Sequence, residues 1–215
     1  MVIDVWSDVV CPWCFIGKRR LENALSQFEH RDEVHIRHRA FQLQPEIKET
    51  VPTVALLSKN YGINKAQVRQ MQNNVCSIAD GEGLCYELEN TLSGNTFDAH
   101  RLLLWSAGVD KQPQLLEAMY SAYFEKGRSL FSHSDLVSVT LEVGIEADET
   151  EEVLISGKYT EEVIADRKLA SQLGASGVPF FVFDMKYGIS GAQPLEAFIQ
   201  TLQTAWETRE NSLAE

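Results

Sequence analysis

The first forty residues change hydrophobic period twice. Residues 2–6 alternate and are rich in β-branched and aromatic types (Val2, Ile3, Val5, Trp6), which predicts a short strand. From Pro12 onward, Cys14, Leu21, Ala24, Leu25 and Phe28 fall at helical spacings and predict a helix over 12–29. Proline suits the first turn, because the N–H it lacks would have no intrahelical partner there. Val34 to Phe41 alternates again, with Val34, Ile36 and His38 on one face and His35, Arg37 and Arg39 on the other. The opening is therefore strand, helix, strand. Cys11-Pro12-Trp13-Cys14 stands where the first strand hands over to the helix.

From residue 51 to 156 the pattern is helical, with helices expected at Val54–Tyr61, Lys65–Ala79, Phe97–Ala107, Gln114–Lys126 and Ser134–Val143. Asn95 or Thr96 suits an N-cap and Gly108 a stop. Asp148 with Glu151 three residues on resembles a capping box before Val153 and Leu154. A further helix is expected near 160–173, ending at Gly174. Phe180–Phe183 then reads as a buried strand, Tyr187–Ser190 as its hairpin partner, and 194–208 as a closing helix. Strands at both ends with helices between them predict an α/β sheet domain (1–50 and 157–215) interrupted by a helical insertion (51–156).

Charge and cysteine usage narrow the chemistry. A formal charge of −12 over 215 residues argues against a nucleic-acid surface, which relies on many Lys and Arg contacts. The local run Lys18-Arg19-Arg20 is expected on the solvated side of its helix. No apolar run approaches the roughly 18 residues of a membrane span. The first residues also lack the basic, apolar and small-residue segments of a secretory leader. A cytoplasmic chain is the expectation. Four cysteines in this length do not resemble a disulfide scaffold, and in a reducing compartment Cys-x-x-Cys points to catalysis or metal.

A helix N-terminus offers unpaired N–H groups and about half a positive charge, which favours the nucleophilic thiolate over the thiol. Cys11 stands at that end and is expected to face solvent, with Cys14 one turn in. The predicted chemistry is attack by Cys11 and resolution of the mixed disulfide by Cys14. Pro12 and Trp13 modulate the pair without adding charge. Zinc would want a second close pair, and Cys76 and Cys85 are not spaced as one. Each of these two is expected to be a small buried residue, and no metal is expected.

Four segments together resemble the DsbA-type thioredoxin-fold family, in particular its FrnE-like cytosolic branch. They are Cys11-Pro12-Trp13-Cys14-Phe15-Ile16-Gly17, Asn95-Thr96 with Ala99-His100-Arg101, Gly177-Val178-Pro179-Phe180-Phe181-Val182, and Ser190-Gly191-Ala192-Gln193-Pro194. The resemblance covers nearly the whole chain. It implies a thioredoxin fold interrupted by an all-helical insertion, with a cis proline facing the cysteines. It also carries Val178 and Pro179 over as substrate-binding residues. Asn95, His100 and Arg101 match a family motif and are read as a structural helix start. His30, His35, His38 and His133 match no motif and are read as surface or sheet residues. The implied activity is that of a protein thiol–disulfide oxidoreductase or isomerase acting on thiol- or disulfide-containing proteins or small thiols. No cofactor is expected to be bound, and glutathione is admitted as a redox co-substrate. The alternative is a glutathione-dependent transferase or isomerase acting on small molecules, a related branch that carries serine where Cys11 stands.

Overall fold

The computed structural model describes residues 1–213. Strand β1 (Val2–Ser7) is followed by α1 (Pro12–Ser26) and β2 (His35–Ala40). A two-residue strand β3 (Val51–Pro52) precedes α2 (Thr53–Tyr61) and α3 (Lys65–Gly81), and its partner β4 (Leu92–Ser93) precedes α4 (Phe97–Ser106). Then come α5 (Gln112–Tyr120), α6 (His133–Glu142), α7 (Ala147–Ser156) and α8 (Thr160–Gln172). The hairpin β5 (Phe180–Phe183) and β6 (Tyr187–Ser190) leads into α9 (Leu195–Leu213). The main sheet has the order β2-β1-β5-β6. β1 runs parallel to β2, with Val2 opposite His35, and antiparallel to β5, with Trp6 opposite Phe180.

Because β1 is a central strand, both of its faces are covered, and alternation sorts its side chains into two layers. Ile3 and Val5 join Phe181 and Phe183 against Leu21 and Ala24 of α1 and Phe198 and Leu202 of α9. Trp6 faces the other way, with Phe180 and Val182, onto Ala170 of α8. Asp4 is buried and is satisfied by Arg37 (2.8 and 2.7 Å) and Arg39 (2.8 Å) from β2. Asp166 of α8 closes this network through Arg39 and the Ala40 N–H.

A third and larger core fills the helical stretch, and the cysteine motif belongs to it. Cys11, Cys14, Phe15 and Ile16 pack there with Leu102, Leu115, Met119 and Phe124. Helix α1 therefore serves two cores, its first turns packing on the helices and its later turns on the sheet.

The structure corrects the sequence reading in several places. The stretch between the halves of the sheet is not purely helical, since β3 and β4 pair antiparallel, with Val51 opposite Ser93. Two residues are too few for alternation to show in a sequence. The ladder is pinned by Thr53, whose N–H donates to the Thr91 carbonyl and whose hydroxyl meets that of Ser93 at 2.9 Å. The expected helix 114–126 divides at Tyr120, after which residues 121–125 widen into a π turn closed by Lys126 N–H on the Ser121 carbonyl at 3.0 Å. The first helix stops at Ser26, three residues early. The capping box lies two residues upstream of the expected one, with Glu146 and Glu149 in place of Asp148 and Glu151. Lys18, Arg19 and Arg20 are not a solvated face. Lys18 and Arg19 meet Glu22 and Glu117, and Arg20 meets Glu82, which welds α1 to α3 and α5.

Candidate active site

After Ser7 the chain leaves the sheet through Asp8-Val9-Val10 and enters α1. The turn is closed by the Cys11 N–H on the Asp8 carbonyl (3.1 Å) and the Cys14 N–H on the Cys11 carbonyl (3.0 Å). Cys11 is the N-cap residue, with extended backbone (φ −92°, ψ 111°), and Pro12 follows in the first turn. No side chain caps this helix start, so no side-chain oxygen competes for its N–H groups.

The Val178–Pro179 bond is cis, and the Cys11 thiol donates to the Val178 carbonyl across 3.6 Å. Gly17 makes that approach possible. A Cβ at this position would lie 3.1 Å from both the Pro179 Cγ and the Phe181 ring. The glycine three residues past Cys14 is thus a spacing device between α1 and the cis-proline loop.

Both sulfurs are buried, at 3% exposure for Cys11 and 2% for Cys14. This corrects the expectation of a solvent-facing Cys11. Its sulfur lies in the wall of a groove of about 470 Å³, so access runs along the groove. Burial pushes the Cys14 thiol well above its usual pKa, reinforced by its hydrogen bond to Cys11 and opposed by a backbone hydrogen bond from Asp8. Trp13, 37% exposed, stands at the rim. The far wall comes from the 41–50 segment, α2 and α3, through Leu43, Ile47, Leu57, Met71 and Val75. Among the described residues no Lys, Arg or His lines the groove, and Asp8 is the only charged one that does.

The motif residues with unassigned roles now separate. Arg101 is buried and donates to the carbonyls of Val153, Leu154 and Lys158, so it caps the end of α7. The Asn95 side chain accepts from the Phe97 N–H and from Gln42, both at 2.8 Å, tying the start of α4 to the segment after β2. Asn95 thus serves the helix start that was expected, whereas Arg101 serves the end of α7 instead. His100 differs: it points at Asp8, beside the cysteines.

Two groups at the site escaped sequence reasoning. The Tyr86 hydroxyl donates to the Pro12 carbonyl at 2.8 Å. Its ring, stacked on Phe124 at 4.9 Å, belongs to an aromatic cluster with Phe15 and Tyr120 behind the motif. Asp8 was legible only as an acid three residues before Cys11 within an apolar run.

Other residues lie elsewhere. Cys85 is exposed and Cys76 half-buried, with its thiol 3.7 Å from the Tyr86 carbonyl; the expectation of buried packing fails for Cys85. His35 and His38 are in β2, His133 begins α6, and His30 stacks on Trp206 at 4.2 Å. No helix among the described residues is long and apolar enough to cross a membrane.

A four-stranded sheet with a Cys-x-x-Cys at a helix start and a cis proline against it defines a thioredoxin-type site. Comparison with known proteins makes the class specific. The model of the DSBA-like thioredoxin domain matches residues 2–203. A probable DsbA oxidoreductase from Streptomyces coelicolor is 42% identical, with a TM-score of 0.92, over 96% of this chain and 90% of its own. The chain belongs to the DSBA-like family of thiol–disulfide oxidoreductases. The fold is shared with two more distant structures. One is a 2-hydroxychromene-2-carboxylate isomerase (16% identity, TM-score 0.71, all of both chains). The other is the cytosolic disulfide reductase DsbM from Pseudomonas aeruginosa with GSH (16%, TM-score 0.66, 96% of this chain and 100% of that one). No curated protein sequence matches the chain.

Proposed function

We propose that the protein exchanges disulfides with protein substrates, with Cys11 attacking and Cys14 resolving. The observation that carries this reading is the groove beside Cys11, which is walled mainly by apolar side chains and, among the described residues, has no cationic one in its lining. An extended protein segment with apolar side chains around its cysteine fits such a surface, with its backbone along Val178 and Pro179. Glutathione, an anion with two carboxylates, would find no Lys, Arg or His there. A small-molecule, glutathione-dependent reaction is the second reading, and the GSH bound to the distant DsbM structure speaks for it. Residues 51–156 act in the leading reading as the substrate-facing wall. The reducing cytosol is the compartment that reading assumes.

Cys14→Ala tests the assignment. With its resolving thiol removed, Cys11 attacks but cannot release its partner, so reducible adducts accumulate. Cys11→Ser should trap nothing. When apolar peptide disulfides and oxidised glutathione are offered together, the peptide adduct should predominate. Capture of glutathione alone would move the function to the small-molecule reading. A Cys14→Ala protein with full turnover and no adduct would end the two-cysteine mechanism.

A further inference from the structure

A second thiol lies outside the groove, in the wall of a cavity of its own. Helix α3 carries Arg69, Gln72 and Cys76 at spacings of three and four, which puts them on one face. With Glu87 and Glu89 from the segment after the helix, and with Lys126, they line a polar cavity of about 620 Å³. That is ample for a small peptide. Among the described residues this lining holds two cations and two carboxylates, whereas the groove beside Cys11 has Asp8 alone.

Gln72 stands between the two cavities and lines both. It is 8% exposed; its Nε2 donates to the Leu88 carbonyl at 3.0 Å, and its buried Oε1 has no hydrogen-bond partner. An unpaired buried acceptor is costly, and a ligand N–H in the cavity is the donor it lacks. One turn on, the half-buried Cys76 thiol donates to the Tyr86 carbonyl across 3.7 Å, and its sulfur receives a backbone hydrogen bond from Leu88. Burial raises this thiol above its ordinary pKa, and the Leu88 hydrogen bond opposes the shift. Such a thiol exchanges slowly, but as a poor leaving group it keeps its partner once a disulfide has formed. The cations are lightly held. Arg69 faces Glu89 at 3.5 Å and Lys126 faces Glu142 at 3.3 Å, and ion pairs between exposed side chains are weak.

We propose that this cavity is a second binding site, for a peptidic disulfide of the glutathione class, and that Cys76 is the residue it modifies. The match is chemical: carboxylates for Arg69 and Lys126, an ammonium for the two glutamates, an amide for Gln72 and a sulfur for Cys76. The site is separate from the redox groove. Neither Cys11 nor Cys14 lines it, and its nearest tie to the motif is Tyr86, which lines the cavity and whose hydroxyl holds the Pro12 carbonyl. It therefore stands independently of the disulfide-exchange reading.

The step balances with glutathione disulfide as the oxidant. The Cys76 thiol loses its proton to water, and its sulfur attacks one sulfur of the bound disulfide. The Cys76–glutathione bond forms and the bond between the two glutathione sulfurs breaks. One glutathione leaves as thiolate and takes a proton from water. Cys76 is oxidised to the mixed disulfide, and the departing glutathione is the reduced product.

Competitive labelling tests this, with Cys85 as the internal control because it is exposed. A chain carrying Cys11→Ser and Cys14→Ser is treated with glutathione disulfide or with uncharged 2-hydroxyethyl disulfide. Adducts on Cys76 and Cys85 are counted by mass after cleavage at Glu82, which separates them. The ratio of Cys76 to Cys85 adducts should be about tenfold higher with glutathione disulfide, since binding raises the local concentration of the reacting sulfur. S-methylglutathione, which binds but cannot exchange, should suppress the Cys76 adduct and spare the one on Cys85. Arg69→Gln with Lys126→Gln should return the ratio to that of the uncharged reagent. Equal ratios with the two disulfides would overturn the proposal, as would a ratio that neither S-methylglutathione nor the double variant changes. The wild-type chain gives the same ratio should the serine chain not fold, because its four cysteines are mapped separately. Adducts on Cys11 there bear on the exchange reading, whereas the Cys76 ratio bears on this site.

Discussion

Gly17→Ala sets two known effects against each other at the heart of the site. In a helix interior, alanine is favoured over glycine by about 1 kcal/mol. At position 17 the new methyl would stand 3.1 Å from the Pro179 Cγ and 3.1 Å from the Phe181 Cζ, closer than relaxed contacts allow. Neither neighbour can give way easily. Phe181 is wholly buried in a central strand, edge-on to Phe198 at 4.9 Å, and Pro179 is fixed between that strand and the loop. Overpacking of this kind costs about 1–3 kcal/mol, so the net expectation is a loss of about 1 kcal/mol. That lowers the melting temperature of a chain this size by about 3 °C. Gly81→Ala is the matched control, at the end of α3 with nothing within 4 Å of the added methyl, and it should hold or gain stability. Urea unfolding of the three proteins, read at constant m, gives both numbers. If Gly17→Ala gained stability as Gly81→Ala does, α1 would not be seated against the cis-proline loop as described. The account of how Cys11 meets Val178 would then fail.

Two further outcomes are expected. Arg101→Met should destabilise the protein by about 2–4 kcal/mol in urea, because three carbonyls near the end of α7 lose a buried charged donor at once; a change below about 0.5 kcal/mol would remove its capping role. His38 gives a pH dependence: its half-buried ring has an enclosed Nδ1 without a partner, and burial lowers its pKa from 6.5 to about 4. The unfolded chain takes up that proton first, so this stability is complete above pH 6.5 and is lost as the pH falls toward 4. It amounts to at most about 3 kcal/mol, and less where water reaches the ring. The wild type should lose urea stability over that window, and His38→Phe should lose distinctly less.

Legibility followed the range of the forces involved. Strands 2–7 and 180–190 and most helices could be read because each is set by local period and terminal residues. The redox motif, the cis-proline segment and Gly17 could be read because they are contiguous. Groups that act across the chain left little signal. Tyr86 reaches Pro12 from 74 residues away and His100 reaches Asp8 from the helical stretch, and nothing local marks either pairing. The exposure of Cys11 was misjudged for the same reason. A helix start is exposed by default, and this one is buried because Cys11 packs into the core built by the helical stretch, with Val178 against its sulfur. Lys18-Arg19-Arg20 looked like a solvated face because its partners, Glu82 and Glu117, are distant in sequence.

Strand β2 forms one edge of the sheet, and it carries His35, Arg37 and Arg39. Both arginines are fixed by Asp4, and one of them also by Asp166, so these cations cannot swing away to admit a visiting strand. Pairing two copies edge to edge would bring like charges together and strip water from them. A protein whose proposed work is to handle apolar, extended chains beside Cys11 would thus be guarded along this edge against templating their aggregation.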